Sequence, residues 1–377
     1  MTYLKEILPK IIRYRLSRRG LVNPGSPINL TFSVTNQCQS KCKTCHIWDL
    51  YNKHPEKRKE ELTISEIDKI FMSMGHIYIF NISGGEPFLR DDITQIIEAA
   101  CKYLTPGIIH IPTNAIAVNR IEKKTKDILD LLKAKYPHVR LTVKPSMDHI
   151  EEKHDAIRGV PGNFKKVMDV FHKLKKLQSE FPQLHVELGT VISKWNVRDI
   201  KEISDYIIKL GMDSYRNEIA EQRSEMYNQD HNITPSARDY EQAIEYFVSN
   251  IKTNMKNRSL FNRITNAFRL VYYKLAIQIL KTNEQVISCY AGISNAHLSA
   301  YGDIWACCTL GYNKSMGNLR EYDYNFPELW GSDVAKNIRK YIKNKNCACP
   351  LANQAYSNIL LNTPSLFNVL REILITR

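Results

Sequence analysis

What the chain lacks narrows it first. It contains no run of roughly 18 apolar residues, the length a membrane-crossing helix requires. No charged n-region, apolar core and small-residue cleavage pattern stands at its start, so nothing reads as a secretory signal. Acidic residues are in deficit, 39 Asp and Glu against 53 Lys and Arg, for a formal net charge of +14. That surplus suits an anionic partner such as a membrane surface, a nucleic acid or a phosphorylated substrate. The basic residues are spread rather than blocked, and no RRM or KH signature is present, so nucleic acid has no motif behind it. A hydrophobic fraction of 43% with 24% charged residues excludes a disordered chain. Cysteine is not scarce. The nine cysteines are odd in number and clustered, which reads as metal ligands in a reducing cytoplasm rather than a disulfide frame. The expectation is a cytoplasmic protein, with peripheral membrane contact left open.

Three of the cysteines form Cys38-Gln-Ser-Lys-Cys42-Lys-Thr-Cys45, directly after the apolar run from Ile28 to Thr35. One short loop can aim all three sulfurs at one centre, as an iron–sulfur site requires. A four-iron cluster held by three thiolates keeps one iron open for chemistry. A structural zinc site asks for four protein ligands instead. The triplet alone leaves both metals standing.

From residue 28 to about 221 strand and helix patterns alternate. Strands are predicted at Ile28–Thr35, His76–Ile82, Gly107–Pro112, Val139–Pro145, His185–Ile192 and Asp213–Ile219, with helices at 61–74, 91–104, 121–136, 163–179 and 197–211. Thr63-Ile-Ser-Glu66 and Asp91-Asp92-Ile93 supply helix starts. Serial βα units predict an α/β fold, a partial (βα)6 TIM-like barrel, with chemistry gathered past the carboxyl ends of the strands. The cysteine loop, Ser83-Gly84-Gly85-Glu86-Pro87, Thr113-Asn114 and Ser146-Met147-Asp148 all fall there. Paired glycines let a ligand approach the backbone, or simply turn the chain.

The Cys38-x3-Cys42-x2-Cys45 motif, followed about 40 residues later by Gly84-Gly85-Glu86-Pro87 on this frame, resembles the radical S-adenosylmethionine (radical SAM) superfamily. The resemblance implies a [4Fe–4S] cluster on Cys38, Cys42 and Cys45 that binds S-adenosylmethionine. It implies that Gly84, Gly85 and Glu86 contact the cofactor's methionine amino group, and that Asn114, Ser146 and Arg158 bind its remainder. Ser146-Met147-Asp148 and His154-Asp155-Ala156-Ile157-Arg158-Gly159 are similar to the stretch found in members with an additional C-terminal cluster domain. Where many members carry an aromatic residue before the third cysteine this chain has Thr44; Trp48 offers a ring, either for adenine or for core packing. His46 imitates a zinc ligand beside Cys45. The implied chemistry is reductive cleavage of the cofactor to a 5′-deoxyadenosyl radical that abstracts hydrogen from a C–H bond.

The flanks carry less. Residues 1–27 form a basic amphipathic arm, with Leu4, Ile7, Leu8, Ile11 and Ile12 at helical spacing and Pro9 as a kink or a fresh start. Such a helix packs on a domain or lies on an anionic membrane. Residues 222–286 read as a helical connector in which Phe261, Ile264, Phe268, Val271, Leu275 and Ile279 share a face. Residues 287–352 form a small α+β module. There Tyr301-Gly302-Asp303 turns a hairpin with Cys289 before it and Cys307 after it, and Cys347-Ala-Cys349-Pro350 completes a set of four. The module resembles the SPASM/twitch type, which implies an auxiliary [4Fe–4S] cluster on Cys289, Cys307, Cys347 and Cys349. Cys308 is a competing ligand, and zinc is the structural alternative. Cys101 reads as a core thiol and residues 353–377 as a helical tail.

Three functions follow. The first is hydrogen abstraction from a small-molecule, sugar or lipid-linked substrate, with electrons from a flavodoxin or ferredoxin and the auxiliary cluster assisting. The second is modification of a peptide or protein; only about 27 residues precede the first strand, too few for a separate leader-binding domain, which tilts the reading to the first. The third, a non-catalytic iron–sulfur or zinc protein, leaves Gly84-Gly85-Glu86 without a purpose. No catalytic acid or base is assigned. Glu218, Glu221 and Arg223, at and beyond the sixth strand, either point into the cavity or are solvated loop charge, and solvated charge is the reading preferred.

Overall fold

Short apolar segments, each followed by an amphipathic helix, build the sheet that the rest of the chain covers. The computed structural model describes residues 2–211, 214–255 and 260–375. Helix α1 (Thr2–Arg19) precedes β1 (Asn29–Ser33), and α2 (Leu50–Lys53) and α3 (Ile64–Met74) lead to β2 (Ile79–Ser83). Then come α4 (Ile93–Tyr103), β3 (Ile108–Thr113), α5 (Val118–Lys135), β4 (Arg140–Pro145), α6 (Glu151–Arg158), α7 (Asn163–Glu180), β5 (Leu184–Ile192), α8 (Ile200–Lys209) and β6 (Ser214–Ile219). Helices α9 (Ala237–Met255) and α10 (Leu260–Thr282) connect to β7 (Asn295–Leu298), β8 (Asp303–Trp305) and β9 (Ser315–Asn318). The chain ends in α11 (Phe326–Gly331), α12 (Asp333–Lys343), α13 (Ala352–Leu361) and α14 (Thr363–Ile375).

Strands β1 to β6 pair in parallel in sequence order, the partial TIM-like barrel that the βα rhythm predicts. The predicted strands lie within about three residues of the observed ones; Asp213, the predicted start of the sixth, lies outside the described residues. Helix α6 was not predicted. Its eight residues are mostly polar and too short to show an apolar period.

The C-terminal module is not set apart from the barrel. Strand β7 pairs in parallel with β1, Asn29 opposite Asn295 and Phe32 opposite Leu298, and β8 and β9 extend the same sheet. Cys38 therefore follows the carboxyl end of β1, whereas Cys289 precedes the amino end of β7. Cys307 follows β8, whose last residue Trp305 turns back opposite His297. The two cysteine sets leave opposite ends of this sheet edge.

Side chains alternate along the strands. Leu30, Phe32, Phe80, Ile82, Ile109 and Ile111 are fully buried in the apolar core. Phe71 of α3 packs edge-on against Phe32 and Phe80, with centroids 6.0 and 5.6 Å away. Thr63 and Glu66 form the capping box at the start of α3. Asp92 precedes α4 without capping it, because its carboxylate is held by Arg90 at 2.7 and 3.1 Å.

The arm packs on the domain. Ile7, Ile11 and Tyr14 lie against Ile28, Tyr290, Ile293 and Leu361, and Tyr14 donates to the Ser26 carbonyl. Pro9 sits inside α1 without ending it. The side chain of Leu4 lies outside the described residues. In α10 the buried face is wider than predicted: Ala267, Leu270, Val271, Tyr272, Tyr273 and Leu275 are buried, while Ile264 is exposed. The cause is cover from two directions, by α9 and by α13 with α14. Phe261's side chain is outside the described residues. Among the described residues no helix is long and apolar enough to cross a membrane.

Phe71→Ala is expected to destabilise the fold by about 3–5 kcal/mol, the usual cost of removing a buried aromatic ring. Urea unfolding checks it against Met72→Ala, whose side chain is 62% exposed; equal midpoints for the two variants would contradict the packing described.

Candidate active site

The cysteine loop is held by backbone on two sides. From β2, Gly85 N–H donates to the Thr35 carbonyl and Glu86 N–H to the Gln37 carbonyl, both at 2.8 Å. The approach is so close that a Cβ on Gly84 would lie 2.2 Å from Thr35 O, and one on Gly85 2.2 Å from Gln37 O. From the end of α6, the Arg158 carbonyl accepts from Lys41 N–H at 3.0 Å and the Ile157 carbonyl from Lys43 N–H at 2.9 Å. Gly159, at φ +66°, leaves 2.3 Å between a hypothetical Cβ and Lys41 O. These glycines are required by packing of the loop itself.

Within the clamp the three thiols lie within electrostatic reach of one another. Burial, then the neighbouring Cys42, pushes the Cys38 thiol up to about 12; burial and Cys42 move Cys45 the same way. Asn114 Nδ2 lies 3.6 Å from Cys38 Sγ, and Ser40 Oγ 3.1 Å from Cys42 Sγ. Buried Arg158 acts electrostatically on both Cys42 and Cys38. Its Nη1 donates to Asp148 at 3.1 Å, and its Nε has no partner among the described residues.

The other predicted cofactor contacts gather at neighbouring strand ends. Glu86 is fully buried, and its carboxylate accepts from Asn114 N–H at 2.6 Å, Thr113 Oγ1 at 2.9 Å and Phe88 N–H at 3.2 Å. Burial nevertheless pushes it up to about 7. Its observed work is to tie the end of β2 to the end of β3. Ser146 N–H donates to Thr113 O at 2.9 Å, leaving a half-buried hydroxyl free among the described residues. His46 stacks on His231 at 4.0 Å, and half-buried Trp48 has a buried Nε1 without a partner among the described residues.

A cavity of about 150 Å³ opens inside the barrel. Thr31, Asn81, His110, Lys144, Arg216 and Glu218 line it from the strands, and Arg223, Glu225, His297 and Cys308 from the far side. This decides against solvated charge for the residues at and beyond β6. Glu218 and Arg223 line the cavity and Glu221 is buried, because β7, β8 and α13 cover what looked like an open loop. Lys144, 3.4 Å away, holds Glu218 down to about 2, while burial raises Glu221 to about 7.

The second cysteine set also converges. Cys307 feels the charges of Cys289 and Cys347, and Cys349 those of Cys307 and Cys289. Cys308 does not join them. It turns to Arg223, whose Nη1 lies 3.6 Å from its sulfur. Cys101 is a core thiol, as expected.

A profile of the Radical SAM superfamily matches residues 32–207, and one of an iron–sulfur cluster-binding domain, SPASM, matches residues 289–350. The chain belongs to the radical SAM superfamily. It is 21% identical over 356 residues to the antilisterial bacteriocin subtilosin biosynthesis protein AlbA of Bacillus subtilis, covering 90% of this chain and 69% of AlbA. It is 24% identical over 325 residues to the AdoMet-dependent heme synthase of Oleidesulfovibrio alaskensis, covering 80% of this chain and 74% of that protein. Among solved structures, Streptococcus suis SuiB bound to the precursor peptide SuiA shares the fold with a TM-score of 0.58 at 17% identity, over 86% of this chain and 69% of SuiB.

The cofactors of this radical SAM enzyme are S-adenosylmethionine and [4Fe–4S] clusters. The residues present fit them. Buried Cys42 with half-buried Cys38 and Cys45, beside an arginine whose Nε has no partner among the described residues, suit a three-thiolate cluster that keeps one iron open. Four cysteines within electrostatic reach of one another suit a closed cluster.

Sequence reading missed Lys144, Arg216, Glu225 and His297. The signal for the first two is period-two polarity inside buried parallel strands, as in Arg216 and Glu218, where apolar residues are the rule. Glu225 and His297 carry no local signal.

Gly159→Ala and Gly85→Ala are each expected to cost the protein the same share of its iron as Cys38→Ala, measured by iron analysis after anaerobic reconstitution. Full iron in either variant would contradict the clamp.

Proposed function

We propose that this chain is a radical SAM enzyme that modifies a peptide, taking hydrogen from a C–H bond of one residue inserted in the barrel cavity. The observation that carries the reading is the cavity itself. It is lined by fixed charges from several strands, Lys144, Arg216, Glu218 and Arg223, which suit the polar amides and side chain of a peptide residue. The similarity to AlbA along 90% of the chain, and the likeness in fold to SuiB with its precursor peptide, support the same choice over a small-molecule substrate.

In this reading Cys38, Cys42 and Cys45 hold the cofactor-binding cluster, and Cys289, Cys307, Cys347 and Cys349 the auxiliary one. Gly84, Gly85, Glu86, Asn114, Ser146 and Arg158 form the S-adenosylmethionine site. Bound there, the cofactor and cluster supply a 5′-deoxyadenosyl radical that takes a hydrogen atom from substrate. The protein's own share is positional. The backbone clamp fixes the cysteine loop, and the free Ser146 hydroxyl and the Arg158 Nε await polar atoms of the cofactor. Lys144, Glu218, Arg216 and Arg223 offer fixed charges to the inserted residue and its amides. A small electron carrier of the flavodoxin or ferredoxin class supplies the electron.

The test is anaerobic turnover of the reconstituted protein with S-adenosylmethionine, reductant and a short precursor peptide encoded beside its gene. Release of 5′-deoxyadenosine with a loss of hydrogen mass from the peptide is expected. An unchanged peptide alongside turnover of a tetrapyrrole would favour the small-molecule reading, which the likeness to the heme synthase supports. Glu218→Gln is expected to slow peptide modification by roughly tenfold or more, since a hydrogen bond to a charged group is worth about 1.5–3 kcal/mol. Peptide turnover equal to wild type would remove Glu218 from the substrate site.

A further inference from the structure

Cys307 and Cys308 are adjacent in sequence and diverge in space. Both line the cavity, but Cys307 lies within electrostatic reach of Cys289 and Cys347, whereas Cys308 meets two other donors. Glu225 comes from the turn after β6 and His297 from β7. The three donor atoms, a carboxylate oxygen, an imidazole nitrogen and a sulfur, all lie within 4.8 Å of one another. All three residues are more than nine-tenths buried.

The arrangement is built rather than accidental. Glu225 Oε1 and His297 Nε2 are 3.5 Å apart, close to the separation of two ligands on one small cation. Ser33 Oγ bridges them, 3.1 Å from the carboxylate and 2.8 Å from the imidazole. Trp305 packs against the His297 ring, with centroids 4.8 Å apart, and fixes its plane. Arg223 supports the sulfur from outside the trio at 3.6 Å. Arg223 lies between Glu221, Glu225 and the Cys308 thiol, with its Nε 3.8 Å from Glu221 and without a hydrogen-bond partner among the described residues.

We propose that Glu225, His297 and Cys308 form a third metal site, separate from both clusters, for a single divalent cation of the zinc type. One thiolate, one imidazole and one carboxylate with an open position is a donor set that suits zinc acting on a substrate. The open position faces the cavity, so the cation would take an oxygen of the substrate, an amide carbonyl in the peptide case. That last step rests on the reading of the cavity as the substrate site; the metal site does not.

The experiment needs no substrate. Holoprotein with its iron fully loaded is equilibrated with Zn2+, desalted, and analysed for zinc and iron together. Wild type and Cys101→Ala are expected to retain about one zinc per chain, as a three-donor protein site holds. Cys308→Ala and His297→Gln are expected to bind zinc at least tenfold more weakly with iron unchanged. Two variants at different donors keep the test open should one fail to fold. The proposal is overturned if wild type retains no zinc, or if zinc survives both changes, as it would at a vacated cluster position. Loss of iron from Cys308→Ala would overturn it too, by making Cys308 a cluster ligand. Failure of peptide turnover leaves each of these readouts intact.

Discussion

The structure depends on a close approach of backbone to backbone around the cysteine loop. At Gly84, Gly85 and Gly159 no side chain can be accommodated, because carbonyl oxygens of Thr35, Gln37 and Lys41 occupy the space. The hydrogen bonds from β2 and from α6 satisfy the peptide groups of a loop that has no regular structure of its own. Three thiols can then be held near one another despite their burial and mutual repulsion. The glycines that family resemblance ties to cofactor binding are, in this fold, first the floor on which the cysteines rest.

The same sheet that carries the loop carries the second cysteine set. Because β7 joins β1 directly, the barrel cavity is walled by one continuous layer rather than by an interface between domains. Such a wall resists relative motion, and it places fixed charges where water is scarce and their influence is strong. Lys144 with Glu218, and Arg223 with its acidic neighbours, hold opposite charges face to face without complete pairing. An interior of this kind orients a polar guest and excludes bulk solvent, which suits chemistry on an unactivated C–H bond.

Much of this was legible in the chain. Parallel strands buried on both sides read as apolar runs, so Ile28–Thr35 or Val139–Pro145 announced themselves, and the cysteine loop is a local motif. The capping box at Thr63 was legible for the same reason, whereas Asp92 was misjudged because Arg90, two residues away, takes its carboxylate. What sequence could not show is what long-range closure creates. Glu218, Glu221 and Arg223 look like loop charge until the later strands cover them. Ser33, Glu225 and His297 meet across separations of 192 and 264 residues, with no pattern at any one of them. The substrate class was not legible for a different reason: the preference for a small molecule leaned on the length of the chain before the first strand, which says nothing about what the cavity admits.

The central claim is a division of labour, with the Cys38 loop binding S-adenosylmethionine and the Cys289 set standing apart from it. Electron paramagnetic resonance of the reduced protein tests it directly. With Cys289→Ala, the remaining cluster signal should shift when S-adenosylmethionine is added. With Cys38→Ala, the remaining signal should ignore the cofactor. A cofactor-induced shift in the Cys38→Ala protein, or none in the Cys289→Ala protein, would contradict the account.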